Sequence, residues 1–194
     1  MIKAVIFDCF GVLYADPGLL FYEANVPNFS DLKSAIMDID KQSDYGYITQ
    51  EQHDQAIAEL TGLEYEVVHK GVHSTHSRNE PLLEFSQQLR ADYRLGMLSN
   101  IGRGGMESFF SAAEQDALFD AVVLSSDIGM IKPSVEVFEE TARRLGVSVG
   151  ECIMIDDRRD NCAGADAAGM QSVLHIDTQT TIAEVSKLLN LSHA

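Results

Sequence analysis

The sequence has no tryptophan, only three cysteines and only four prolines among its 194 residues. Cys9, Cys152 and Cys162 are odd in number and form no Cys-x-x-Cys pair, which is typical of reduced thiols in a cytosolic protein. Long hydrophobic runs are also missing. The first apolar run is interrupted by Asp8, and no run approaches the length of a signal-peptide core or of a membrane span. We therefore expect a cytoplasmic protein that does not insert into a membrane.

Positive charge is scarce as well, because 14 Lys and Arg accompany 30 Asp and Glu and the formal net charge is −16. This imbalance argues against binding of nucleic acid or of an anionic membrane through a basic face. It also repels anionic small molecules at long range, so a site for one of them needs local positive charge. The remaining composition, 45% hydrophobic and 23% charged, is that of a globular protein.

The order of apolar segments predicts an α/β fold. Residues 3–8 form a continuous apolar run that is typical of a buried strand. From residue 80 onward, predicted strands alternate with predicted helices, which favours a Rossmann-like parallel sheet flanked by helices. The predicted later strands are 93–98, 121–125, 152–156 and 172–176, and the predicted helices are 80–91, 104–112, 134–145, 159–168 and 180–190.

A polar segment separates the first strand from this regular pattern. Residues 14–79 are helical in period, with helices expected near 18–25, 30–41, 50–61 and 64–70. Thr49 followed by Gln52 predicts a capping box at the start of the third helix. We expect 14–79 to form a small inserted helical domain, and 1–13 together with 80–194 to form the α/β core domain.

Polar side chains follow four of the predicted strands. Because ligands bind outside the carboxyl ends of parallel strands, these side chains are expected to meet in one crevice. They offer a carboxylate nucleophile, a hydroxyl and an amide for a tetrahedral anion, a lysine, and acids for a hard cation such as Mg²⁺. This set predicts phosphoryl transfer to Asp8. The residues are Asp8, Ser99, Asn100, Lys132, Asp156 and Asp157.

These segments resemble the four motifs of the haloacid dehalogenase (HAD) superfamily, and the resemblance covers essentially the whole chain. It implies a helical cap at residues 14–79 and Mg²⁺-dependent hydrolysis of a small phosphorylated metabolite, such as a sugar phosphate, through an aspartyl-phosphate on Asp8. The matching segments are Phe7-Asp8-Cys9-Phe10-Gly11-Val12-Leu13, Leu98-Ser99-Asn100, Lys132-Pro133, and Ile155-Asp156-Asp157 followed by Asn161 and Gly164-Ala165.

The resemblance also implies a role for each residue. Asp8 is the nucleophile, Ser99 and Asn100 bind the phosphoryl oxygens, and Lys132 neutralises charge on the nucleophile and the substrate. Of the two acids in the fourth motif, Asp157 is expected to bind the metal directly and Asp156 to act through a water molecule. The implied metal ligands are Asp8, the main-chain carbonyl of Phe10, Asp156 and Asp157.

Phe10 departs from the family pattern. Most phosphatases of the family have an aspartate there that protonates the leaving group and then activates water, and losing such a group typically costs about 10²–10⁴-fold in rate. Three interpretations stay open: a phosphatase that tolerates the change, a catalytically weak or inactive binding or regulatory protein, and a 2-haloacid dehalogenase, whose branch carries an aromatic residue here. Asp156, Asp157 and the lack of any arginine before Arg78 favour the phosphatase.

The inserted segment offers replacements for the missing acid, namely Asp16, Tyr45, Tyr47 and His53, and the sequence does not choose among them. Without a strong acid, we expect substrates with better leaving groups to be hydrolysed faster than simple alkyl phosphates.

Three histidines of the same segment, His69, His73 and His76, share part of a helical face. They could bind a transition metal, but because Gly71 weakens that helix and no acid that would orient the histidines is evident, we expect a solvated surface rather than a metal site.

Overall fold

The computed structural model describes residues 1–74 and 77–191. Within them, five parallel strands form one sheet in the order β3-β2-β1-β4-β5, which confirms the predicted α/β class. The strands are β1 (Ala4–Phe7), β2 (Arg94–Ser99), β3 (Ala121–Leu124), β4 (Cys152–Asp156) and β5 (Gln171–Leu174).

Four helices, here called the inserted helices, come between β1 and the rest of the fold: α1 (Pro17–Asn25), α2 (Phe29–Asp44), α3 (Gln50–Thr61) and α4 (Tyr65–Val72). Thr49 and Gln52 form the predicted capping box of α3. The later helices are α5 (Glu80–Leu89), α6 (Ala112–Leu118), α7 (Ser125–Ile128), α8 (Val135–Leu145), α9 (Arg159–Ala168) and α10 (Thr178–Leu188).

Strand β1 is buried on both faces because it is the central strand of the sheet. Successive side chains of a strand point to opposite faces, so Val5 and Phe7 pack into one apolar cluster, and Ala4 and Ile6 pack into another. A third cluster lies among the inserted helices. The residue that follows β1 is therefore held in place from both sides of the sheet.

The predicted helix at 104–112 is wrong. Residues 106–108 form a single 3₁₀ turn, and α6 begins only after Ser111, whose side chain and that of Glu114 form a capping box. Gly104 adopts a φ of 74°, a left-handed conformation that interrupts a helix. The short helix α7 was not predicted, because its four residues directly continue β3.

The three cysteines are free and buried, in agreement with the prediction of reduced thiols. In the part of the chain that the structure describes, no helix combines the length and the apolar character needed to cross a membrane.

Candidate active site

A crevice of about 410 Å³ lies where the carboxyl ends of the strands face the inserted helices. The strand ends and the segments after them contribute Asp8, Phe10, Asn100, Lys132, Asp157, Arg158 and Asn161. The inserted segment contributes Asp16, Tyr22, Lys33, Ile36, Asp40, Asp44, His53 and His73, among others. The crevice therefore joins the predicted motif residues to Asp16 and His53, two of the predicted replacements for the missing acid, and to other side chains that the sequence analysis did not connect with the site.

Lys132 connects two of the predicted acids. Its Nζ lies 2.7 Å from Asp8 Oδ1 and 2.7 Å from Asp156 Oδ2, and it donates a third hydrogen bond to the carbonyl of Leu98 at 3.1 Å. All three charged side chains are almost fully buried. Asp8 is fixed further by the backbone, because its amide donates to the carbonyl of Ile155 at 2.9 Å.

Burial and the neighbouring charges set the ionisation of this group. Burial raises the pKa of Asp8 well above its usual range; the Lys132 ammonium opposes that rise, and the charge of Asp156 adds to it. Burial lowers the pKa of Lys132, but the adjacent Asp8 and Asp156 raise it above its usual value overall. Lys132 thus stays protonated. Additional positive charge beside Asp8 would lower the pKa of Asp8 and so favour its ionised form, which is the nucleophile.

The two acids after β4 have different surroundings. Both oxygens of Asp156 are occupied, by Lys132, by the amide of Arg158 at 2.9 Å, and by Asn161 Nδ2 at 2.9 and 3.1 Å. Asp157 is exposed at the crevice wall, beside Gly11. Gly11 has a φ of 82°, and a Cβ there would collide with the Asp157 carboxylate, so glycine makes room for this acid.

The donor set fits a hard divalent cation. Carboxylate oxygens of Asp8, Asp156 and Asp157 lie within 4.8 Å of one another. Three carboxylates accompany the single ammonium of Lys132, so negative charge is in excess, and burial together with Asp156 raises the pKa of Asp157. Oxygen ligands of this kind are those that Mg²⁺ prefers.

The two polar residues at the end of β2 have different surroundings. Ser99 is fully buried, and its hydroxyl has no hydrogen-bond partner among the described residues. A buried hydroxyl without a partner is destabilising. Ser99 is not among the residues that line the crevice, so the structure does not bring this predicted site residue together with the others there. Asn100 lines the crevice but uses its amide on Lys132: Oδ1 accepts from the Lys132 amide at 2.9 Å, and Nδ2 donates to the Lys132 carbonyl at 3.1 Å.

Phe10 lies at the crevice wall, two residues beyond Asp8. Its ring meets Phe109 edge to face, with centroids 4.8 Å apart. This apolar pair occupies the side of the crevice where a carboxylate at position 10 would lie. No proton donor comes from this position.

Two of the four predicted replacements for the missing acid line the crevice, Asp16 and His53. Asp16 also caps α1, because its carboxylate accepts from the amide of Leu19 at 3.0 Å. Tyr45 and Tyr47 do not line it; their rings stack on each other at 5.1 Å, and Tyr47 is 72% exposed.

Asp44 is a crevice acid that sequence reasoning missed. The sequence predicts that α2 ends near residue 41, but the helix continues to Asp44 and brings this side chain to the crevice. Burial and the charge of Asp40 raise the pKa of Asp44 to about 7. By contrast, burial lowers the pKa of His53, but its hydrogen bonds to Asp40 and Asp54 raise it to about 9 overall.

The raised pKa of Asp44 predicts that the stability of the protein depends on pH. The pKa of Asp44 is about 7 in the fold and 3.8 is its ordinary value, so between these pH values the folded state holds a proton that the unfolded state has lost. The contribution of Asp44 to the free energy of unfolding therefore decreases as pH rises from about 4 to 7. We expect Asp44→Asn to match wild type at pH 4 and to be more stable at pH 8 in urea unfolding. An equal difference at both pH values would contradict the assignment.

Comparisons with known proteins find similarity to one family over most of the chain. A family model described as haloacid dehalogenase-like hydrolase matches residues 2–169. Drimenol cyclase from Aspergillus calidoustus is 30% identical over 93 residues, which cover 48% of this chain and 18% of that protein. A glyceraldehyde 3-phosphate phosphatase from Methanothermobacter thermautotrophicus is 32% identical over 102 residues, which cover 47% of this chain and 41% of that protein. The matched segments thus span less than half of either relative.

A solved structure shares the fold. It is a HAD family enzyme from Bacteroides thetaiotaomicron in complex with magnesium and inorganic phosphate, with a TM-score of 0.72 and 22% identity. The similarity covers 90% of this chain and 94% of that one.

Proposed function

Because this chain belongs to the haloacid dehalogenase-like hydrolase family, we propose that it is a Mg²⁺-dependent phosphatase of a small phosphorylated metabolite. The observation that carries this proposal is Lys132, which bridges Asp8 and Asp156 while Asp157 stays free at the crevice wall. The glyceraldehyde 3-phosphate phosphatase among the relatives and the magnesium and phosphate of the related structure support it.

Asp8, Asp157 and the carbonyl oxygen of Phe10 are the proposed direct metal ligands. Asp156 acts through water, because both of its oxygens already accept hydrogen bonds. When bound, Mg²⁺ offsets the charge of the carboxylates and of the phosphoryl oxygens.

Asp8 attacks the phosphorus of the substrate, so that an Asp8–phosphorus bond forms while the bond to the leaving oxygen breaks. Lys132 lies within 2.7 Å of the attacking carboxylate and stabilises the negative charge on the transferring group. Asn100, which lines the crevice at the end of β2, is placed to contact the phosphoryl oxygens. The same role for Ser99 rests on the family resemblance, because this side chain is fully buried behind the crevice lining. Water then hydrolyses the aspartyl-phosphate and releases inorganic phosphate.

We propose that residues 14–79 act as a cap over this chemistry. Their side chains form the crevice wall opposite the strand ends, from Asp16 to His73. A cap of this kind excludes water and selects the substrate. The size of the crevice, about 410 Å³, suits a metabolite of a few carbon atoms with one phosphate rather than a macromolecule.

A second function, a binding or regulatory protein with weak catalysis, is favoured by one observation, the Phe10–Phe109 pair where a general acid is expected. A 2-haloacid dehalogenase is less consistent with the crevice. Asp157 at the crevice wall would repel the carboxylate of a haloacid, and the arginine among the lining residues, Arg158, follows β4 instead of lying early in the inserted segment.

Assay of the wild-type protein on a panel of phosphomonoesters distinguishes these functions. We expect phosphate release in the presence of Mg²⁺, loss of release with EDTA, and recovery when Mg²⁺ is added back. The panel includes triose, hexose and anomeric sugar phosphates and an acyl phosphate. If no compound is hydrolysed at any Mg²⁺ concentration, the binding function replaces the enzyme. Metal-independent chloride release from a 2-haloacid would establish the dehalogenase instead.

A further inference from the structure

The inserted helices contain a second polar cluster, to which the proposed phosphatase chemistry assigns no step although two of its members, His53 and His73, also line the crevice. Asp54 lies on α3, is fully buried, and accepts two imidazole contacts on one oxygen. His69 Nδ1 is 2.7 Å and His73 Nε2 is 3.1 Å from Asp54 Oδ2. The two histidines are four residues apart at the end of α4, so both face α3. The sequence did not indicate this acid, because Asp54 is 15 residues before His69 and 19 residues before His73.

The other oxygen of Asp54 is held separately. His53 Nδ1 is 2.8 Å and Gln50 Nε2 is 3.1 Å from Asp54 Oδ1. His53 is held in turn by Asp40, whose Oδ1 is 2.8 Å from its Nε2. The contacts of Oδ1 thus fix the orientation of the Asp54 carboxylate, and Oδ2 faces the ring nitrogens of His69 and His73. Metal ligands in proteins are commonly oriented by outer hydrogen bonds of this kind.

We propose that Asp54, His69 and His73 bind a transition-metal dication such as Zn²⁺, with water as the fourth ligand. Ligand atoms about 2.0–2.1 Å from a tetrahedral Zn²⁺ lie about 3.3 Å apart, and the two observed distances to Asp54 Oδ2 reach that value after small side-chain rotations. A spacing of four residues between two histidines on one helix is a known arrangement for zinc. Here His69 lies in α4 and His73 directly follows its last residue, with its amide donating to the carbonyl of His69 at 3.3 Å.

The ligand types separate this metal from the one at Asp8. Imidazole nitrogen suits Zn²⁺, whereas an all-oxygen set suits Mg²⁺. The side chain of His69 is 49% exposed and that of His73 is 22% exposed, so an ion can enter from solvent and a water can complete the site. Because Asp54 lies on α3 while His69 and His73 lie at the end of α4, a bound ion would link the two helices. His76, which the sequence analysis grouped with His69 and His73, lies outside the described residues.

Titration of the protein with Zn²⁺ or Co²⁺ in saturating Mg²⁺ tests the site. Wild type should bind one such ion per chain, and bound Co²⁺ should give the intense visible absorption of a tetrahedral complex. His69→Ala and His73→Ala should each weaken binding more than about 100-fold. His53→Ala removes no metal ligand but removes the contacts with Asp54 and Asp40, and it should weaken binding by about 10–100-fold. The exposed Lys70→Ala, on the same helix, is the matched control and should bind as wild type does.

Thermal unfolding provides a second measurement that needs no catalytic activity. Zn²⁺ should raise the Tm of wild type and of Lys70→Ala, because a ligand that binds only the folded state stabilises it. It should raise the Tm of His69→Ala much less. His69 is half exposed, so its substitution leaves a folded protein for this comparison. Failure of wild type to bind the ion, or equal binding by wild type and both histidine variants, would overturn the proposal, whatever the outcome of the phosphatase assays.

Discussion

Asp8→Asn is expected to abolish phosphate release from every substrate that the wild-type protein hydrolyses, a loss of at least about 10⁴-fold in kcat. An asparagine keeps the shape of the side chain and its contact with Lys132, but an amide does not attack phosphorus. The measurement is phosphate release in saturating Mg²⁺ under single-turnover and multiple-turnover conditions, with circular dichroism to establish that the variant is folded.

Asp127→Asn is the matched control for this substitution. Asp127 is exposed on α7 and does not line the crevice, so the same change of charge should leave kcat within a factor of about two of wild type. If Asp8→Asn retained a tenth of the wild-type kcat, another group would have to be the nucleophile and our assignment would be wrong.

Phe10→Asp is expected to increase hydrolysis of simple alkyl phosphates by about 10²-fold or more, because it supplies a general acid two residues from the nucleophile. Phe10 already lies at the crevice wall, so the new carboxyl group faces the leaving oxygen. Substrates with good leaving groups, such as acyl or anomeric sugar phosphates, should gain much less. The measurement is kcat across a series of leaving groups for both proteins.

Phe10→Ala is the control that separates the new acid from the lost ring. It removes the edge-to-face contact with Phe109 without adding a carboxyl group. We expect wild type and Phe10→Ala to share a steep dependence of kcat on leaving-group pKa, whereas Phe10→Asp should flatten that dependence. A wild-type rate that is independent of the leaving group would show that another residue already donates the proton, and Asp44 or Asp16 would then be the first to test.

The strand ends were predictable because each one is encoded locally. A buried apolar run followed by an acid, as in β1 and Asp8, identifies both the strand and its functional end. The parallel order of the strands then brings Asp8 close to Lys132 and Asp156, and the structure places the two acids 2.7 Å from the lysine. The family resemblance also implies that Asp157 is the direct metal ligand and that Asp156 acts through water, which stays a prediction.

Features that depend on packing between distant segments were not predictable. Asp44 reaches the crevice because α2 runs three residues beyond its expected end, and its pKa depends on burial beneath other helices. Asp54 meets His69 and His73 only because α3 and α4 pack side by side. The wrong prediction of a helix at 104–112 has a local cause instead. Ser111 and Glu114 have the spacing of a capping box, and this pattern places the start of the helix after residue 111.

The most direct test of the central claim is to look for the phosphate on Asp8 itself. Wild-type protein is mixed with substrate and Mg²⁺, quenched in acid during turnover, and analysed by peptide mass spectrometry. Because Phe10 supplies no base to activate water, the aspartyl-phosphate should break down slowly and accumulate. We predict one phosphoryl group on the peptide that contains Asp8 and none on Asp8→Asn. Turnover with no phosphoryl group on that peptide, or with the group on another residue, would contradict the account.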